Sequence, residues 1–178
     1  MHWLRDRLHY VHKKERAVCM ENKNCYRVFW SILIVGLLII VDQVSKYVAQ
    51  LYLHDADISI SPFARLTLAY NKGISWSLLT PTSLQGEYAL IIGIMIILLI
   101  YLIHVKQEIQ KGRSLFSELL IIGGALSNLI DRVTQGAVVD YILLHYGTWS
   151  FPVFNLADLF IFVGFMLFLK KGFCHESC

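Results

Sequence analysis

FNLADLFIFVGFMLFLKK, residues 154–171, decides how this chain is to be read. It has the length and apolar character of a membrane span, yet Asn155 and Asp158 stand within its first two turns. An ionised group in hydrocarbon costs several kcal/mol, so an acid placed there is expected to face a protein interior or a wet cavity rather than lipid. The stretch therefore predicts a helix that both crosses the bilayer and lines a polar site.

The rest of the chain supports that frame. Of its 178 residues 56% are hydrophobic and only 16% charged, and the mean hydropathy is +0.55. That is more apolar surface than one small soluble core can bury. Four windows carry the excess, at about residues 29–49, 88–105, 115–133 and 153–169. Each approaches the ~20 residues a helix needs to cross ~30 Å of hydrocarbon. The expected fold is an all-α membrane protein of four transmembrane helices in one domain, residues 29–170. The first window is kept as a span rather than a signal peptide, because 28 residues precede it and Asp42 and Lys46 interrupt it.

Basic residues set the expected orientation. Arg5, Arg7, Lys13, Lys14, Arg16, Lys23 and Arg27 precede the first window, Lys106, Lys111 and Arg113 join the second and third, and Lys170 and Lys171 follow the fourth. The two opposite segments hold only Arg65 and Lys72. Residues 1–28 and the tail 171–178 are thus expected in the cytoplasm. The net charge of +3 reads as topological anchoring with some contact to membrane lipid, not as a nucleic-acid surface. Cys19, Cys25, Cys174 and Cys178 all fall on the reducing side, so no disulfide is expected. No metal-ligand string such as HExxH is present, and neither metal nor cofactor is expected. Tyr10, Tyr26, Trp30, Trp76, Tyr88, Tyr141, Tyr146 and Trp149 read as interfacial aromatic belts.

Between the first two windows, residues 54–84 contain the alternating runs DISIS and ARLTLAY with a turn at Asn71-Lys72-Gly73, which predicts a small outer β-rich cradle. Residues 134–152, too polar to span and broken by Gly and Pro, are expected at the outer interface.

On this topology the acids converge. Asp42 lies in the outer half of the first helix, Asp131 ends the third, Asp140 follows it, and Asp158 is about 8 Å into the fourth. Asp42 and Lys46 have the i, i+4 spacing of a helical ion pair. Asn128, Asp131 and Arg132 share one face of the third helix and read as an interhelical clamp in which Asp131 and Arg132 neutralise neighbours, and Gly123-Gly124-Ala125 with Ser127 allows close helix packing. Two carboxylates held close together share a proton, and the charged and uncharged members can then act as base and acid in peptide hydrolysis. Ser45 and Lys46, adjacent on a helix, point apart and make a poor nucleophile–base dyad. A proton or ion carrier, and a noncatalytic subunit glued by its acids, use the same residues. The carrier reading sits badly with a second helix, YALIIGIMIILLIYLIHV, that offers almost no polar group, and with Glu118 alone near the inner end.

Five blocks in order, DQVSK (42–46), NKGISW (71–76), GGALSNLIDR (123–132), GAVVDYI (136–142) and FNLADLFI (154–161), resemble the lipoprotein signal peptidases, the type II signal peptidases of bacteria. The resemblance implies an inner-membrane aspartyl endopeptidase without cofactor, acting as a monomer, that cuts a prolipoprotein just before its diacylglyceryl cysteine. It implies Asp140 and Asp158 as the catalytic pair, with Asp42, Lys46, Asn71, Gly73, Asn128, Asp131, Arg132 and Asn155 as binding or supporting residues. Ser45, Ser75, Trp76 and Leu159 depart from the family's usual residues, and the basic extension before residue 28 is longer than usual.

Overall fold

The computed structural model describes the backbone of residues 2–54, 57–73 and 83–176, and side chains within 22–54, 57–73 and 83–173. The expected Trp76 belt position, the Ser75-Trp76 departure and the side chains of Tyr10, Cys19, Cys174 and Cys178 lie outside these residues; Cys25 is a free, exposed thiol.

The fold is mostly helical with one small antiparallel sheet. In chain order it runs α1 (His2–Tyr52), β1 (Ile58–Ser61), β2 (Ala64–Asn71), α2 (Leu84–Gln110), α3 (Phe116–Gln135), β3 (Val138–Tyr146), β4 (Trp149–Ser150) and α4 (Leu156–Glu176). Helix α1 runs without a break from the basic extension into the first apolar window. Among the described residues, two helical stretches, Asn22–Tyr52 and Leu84–Gln110, are long and apolar enough to cross a membrane.

Burial is inverted relative to a water-soluble protein. Asp42 and Asp131 are 0% exposed and Lys46 2%, whereas Leu37 on α1 and Ile97 on α2 are 61% and 68% exposed. An apolar exterior around buried charge is stable in lipid and unfavourable in water.

Helix α3 is the hub, packed most extensively on α4 and then on α1. Small residues make the α3–α4 approach possible. A Cβ on Gly124 would strike the Ala157 carbonyl, and one on Gly164 would stand 2.8 Å from the Ser117 carbonyl. Gly123 admits Leu38 of α1 in the same way.

DISIS and ARLTLAY form β1 and β2 as their alternation predicts. The larger surprise is β3. Residues expected merely to rest at the interface form the longest strand, paired with both β2 and β4 in the order β1-β2-β3-β4. The alternation in VVDYILLHY is weak because its first four residues are all buried, and the run therefore lacks a polar face. Gly136, left-handed at φ 71°, ends α3 and sends the chain directly into β3. Phe154 then pairs with Ile142, accepting from the Tyr141 and Ile142 amides at 3.1 and 2.8 Å. That clip holds the start of α4 against the middle of β3, beside Asp140.

Candidate active site

The expected site residues meet at the junction of α1, α3, β3 and the N-terminus of α4. Asn155 caps α4: its Oδ1 accepts from the Asp158 amide at 2.9 Å, while its own amide approaches Asp158 Oδ2 at 3.4 Å. This is the reciprocal capping box, with Asp158 at the third helical position. The same Asn155 side chain donates through Nδ2 to Asp140 Oδ1 at 2.6 Å. One fully buried amide thus touches both aspartates.

Each carboxylate has a second donor. Asn71, at the end of β2, donates to Asp140 Oδ2 at 3.1 Å, and Asn128 donates to Asp158 Oδ1 at 2.8 Å. The orientation of Asn128 is dictated by its other end. Its Oδ1 accepts from Lys46 Nζ at 2.8 Å, and an ammonium can only donate, so the amide NH2 must face Asp158.

Lys46 is itself held between two acids, at 2.6 Å from Asp42 and 2.7 Å from Asp131. Asp42 also accepts from Ser127 Oγ at 2.7 Å and from the Ala157 amide at 2.8 Å, so it satisfies a free N–H at the positive end of α4. Asp131 accepts from Gln43 at 2.7 Å and from the Val139 amide at 3.3 Å. Burial of this kind is tolerated only when every charge is met by donors and counter-charge, as it is here.

Asp140 belongs to the strand, outside the helices. Burial first, and the neighbouring Asp158 carboxylate second, push it from an ordinary 3.8 up to about 7, against the opposing pull of Asn71, Asn155 and Lys46. It is thereby poised to hold a proton near neutral pH.

Asp131 clamps α3 to α1 through Lys46, whereas Arg132 meets backbone rather than a charge, donating to the carbonyls of Lys72 at 3.3 Å and Gly73 at 2.6 Å. Arg132 therefore ties the Asn71-Gly73 turn, closed by the Gly73 amide on Asn71 Oδ1 at 3.0 Å, onto α3. Several other expectations change. Ser127 is a donor to Asp42 rather than a mere packing residue. Tyr141 is buried instead of belonging to the aromatic belt, and its hydroxyl donates to Ser45 at 2.7 Å. Gln43 went unnoticed, and nothing but its place beside Asp42 could have signalled it. Glu118 is not alone: it meets Lys171 at 2.7 Å and Ser117 at 2.8 Å. Basic residues expected as lipid anchors also work inside the protein, since Lys111 and Arg113 pair with Glu108, and Arg27 donates to the Ile109 and Arg113 carbonyls.

Comparison with known proteins now adds to the geometry. The family model for signal peptidase (SPase) II matches residues 34–174, most of the chain and the whole constellation just described. The chain belongs to the signal peptidase II family. It is 36% identical over 139 residues to the lipoprotein signal peptidase of Anaplasma phagocytophilum (strain HZ), covering 78% of this chain and 88% of that one. To the lipoprotein signal peptidase of Brucella ovis it is 37% identical over 149 residues, 83% and 92% of the two chains. Among solved structures it is similar to a bacterial membrane enzyme determined by the in meso method at 2.3 Å, with TM-score 0.66 and 31% identity over 84% of this chain and 91% of that one. A second such structure, at 1.9 Å, gives TM-score 0.63 and 31% identity, covering 81% and 92%. For this signal peptidase II chain, the matched span begins at residue 34, so the first 32 residues of α1 lie outside the shared region.

Proposed function

We propose that the chain is an intramembrane aspartyl endopeptidase that removes the signal peptide of a diacylglyceryl-modified prolipoprotein, cutting just before the lipidated cysteine, with Asp140 and Asp158 as its catalytic pair. The observation that carries this reading is the single Asn155 side chain hydrogen-bonded to both acids, the Nδ2 to Asp140 and the Oδ1 to the Asp158 amide. Family membership supplies the reaction class, peptide-bond hydrolysis in a membrane.

The chemistry follows from one proton shared by two carboxylates. The charged member takes a proton from water as the water oxygen attacks the scissile carbonyl carbon, and the protonated member hydrogen-bonds and then protonates the carbonyl oxygen. As the tetrahedral intermediate collapses, the C–N bond breaks and the departing amine receives a proton from the pair. Burial raises Asp140, so the pair holds one proton between its two carboxyls in the resting enzyme. Asn128, fixed by Lys46, and Asn71, fixed by the turn that Arg132 anchors, hold the carboxylates so that little reorganisation is needed.

In this reading all four helices, α1 to α4, cross the bacterial inner membrane with both termini in the cytoplasm. The sheet is then a cradle at the outer surface, above the pair. A cysteine whose acyl chains stay in the bilayer presents its preceding peptide bond at that depth.

The test uses purified D140N and D158N with lipidated and unlipidated precursor. Each variant should insert and stay folded at the assay temperature yet release no signal peptide, and the parent should process only the lipidated form. Near-normal turnover by either variant would refute the pair, whereas equal cleavage of both precursors would refute the substrate class.

A further inference from the structure

A second polar cluster lies at the opposite end of the bundle. Glu118 is thirteen residues before Asp131 on α3, about 20 Å along a helix axis. His104 and Glu108, at i and i+4 on α2, face it, and one N or O atom from each of the three lies within 4.8 Å of the others. A cavity of about 350 Å³ opens beside them, lined also by Arg113, Phe168 and Lys171.

Two polar atoms here lack partners. His104 Nε2 and the Tyr101 hydroxyl are buried without a hydrogen bond, and His104 Nε2 is 4.0 Å from Glu118 Oε1, too far for one. Leaving such groups unmet costs about 1–3 kcal/mol each. The carboxylates are arranged unequally. Glu108 uses Oε1 for Lys111 and Arg113 at 3.1 and 3.3 Å, and Glu118 uses Oε2 for Ser117 at 2.8 Å. The remaining oxygens, Glu108 Oε2 and Glu118 Oε1, share the single Nζ of Lys171 at 3.3 and 2.7 Å. One oxygen of each acid is thus fixed by the protein while the other points at a cation that is itself 32% exposed on the last turns of α4. Supported ligands with one open lone pair each are how proteins hold metal ions.

We propose that His104, Glu108 and Glu118 bind a divalent transition-metal ion of the zinc class, with Lys171 as the cation it displaces into water. Imidazole with two carboxylates suits such an ion, and the cavity leaves room for a water as fourth ligand. Tetrahedral ligands at ~2.0–2.2 Å stand about 3.3 Å apart, so the donors must close by roughly 1 Å or more, a matter of side-chain torsions. The site is structural: it would clamp α2 to α3, far from the aspartate pair.

The test is titration of the tag-free, chelator-treated full chain in detergent with Zn²⁺ by calorimetry and with Co²⁺ by its visible absorption. One equivalent should bind saturably. H104F, which keeps a ring against Tyr101 and Phe168, should abolish binding, with H104Q as a second version if H104F folds poorly. K171M, which removes the competing charge, should tighten binding by about tenfold or more, and D158N should leave it unchanged. Absence of saturable binding by the parent, binding by K171M alone, or binding that survives loss of His104 would each overturn the proposal.

Discussion

Removing the Lys46 ammonium is the sharpest probe of how this site is held together. In K46M the side chain keeps most of its volume, but Asp42 and Asp131, each 0% exposed, lose the cation 2.6 and 2.7 Å away. Two uncompensated buried acids then face each other near Asp140 and Asp158. Breaking a buried pair in this way costs about 3–5 kcal/mol. In a 178-residue chain that corresponds to a Tm lower by roughly 6–20 °C. A second effect is local: without Nζ, Asn128 Oδ1 keeps only the longer bond from Asn155 Nδ2 at 3.2 Å, so the amide that faces Asp158 is held less firmly. Activity should therefore fall further than the loss of folded protein explains. The assay is thermal unfolding in detergent beside cleavage of diacylglyceryl prolipoprotein at a temperature where the variant is folded. K46M/D131N removes one of the stranded charges and should recover part of the Tm but not the full turnover, because Asn128 still lacks its ammonium partner. A K46M protein with unchanged Tm, or a double variant no more stable than K46M, would refute the charge argument.

Three further outcomes are expected. Asp140 holds its proton more tightly folded than unfolded, so stability should decline as pH rises from about 4 through about 7, and cleavage should decline above about 7; D140N should flatten the Tm profile, measured side by side with the parent. N155S keeps a capping hydroxyl but removes the buried Nδ2 donor to Asp140 and the Val139 carbonyl, so it should cost about 1–3 kcal/mol in unfolding experiments, and because its shorter side chain cannot span to Asp140, turnover should drop about a hundredfold or more at a temperature where it is folded. G164V should lose about 1–3 kcal/mol in unfolding, because its Cβ would meet Ser117 and Leu120 backbone and side-chain atoms at 2.8 and 3.0 Å, whereas G36A, with nothing within 4 Å, should be neutral or stabilising.

What could be read from the chain without coordinates was the part governed by hydrophobic solvent preference. Apolar windows and the depth of each acid follow from periodicity and rise per residue, and they bring Asp42, Asp131, Asp140 and Asp158 to one level. The i, i+4 pairing of Asp42 with Lys46 was equally legible, being local. Partners chosen across elements were not. Asp131 selects Lys46 of α1 over adjacent Arg132, because successive residues on a helix point about 100° apart and the neighbouring helix offers the buried cation. Likewise Val138–Tyr146 is a strand only because β2 and the Phe154 clip supply its hydrogen bonds, a fact carried by no residue within it.

These long-range choices also explain why the polar site survives inside an apolar bundle. The donors to the aspartate pair and to Lys46's acids come from α1, β2, α3, β3 and α4, so no helix can drift without exposing an unmet charge. The charges specify the arrangement as much as they stabilise it. The close α3–α4 approach at Gly124 and Gly164 then has a functional meaning: it sets Asn128 within 2.8 Å of Asp158. A bulkier residue at either glycine would widen that gap, and a widened gap should reduce turnover before it unfolds the protein.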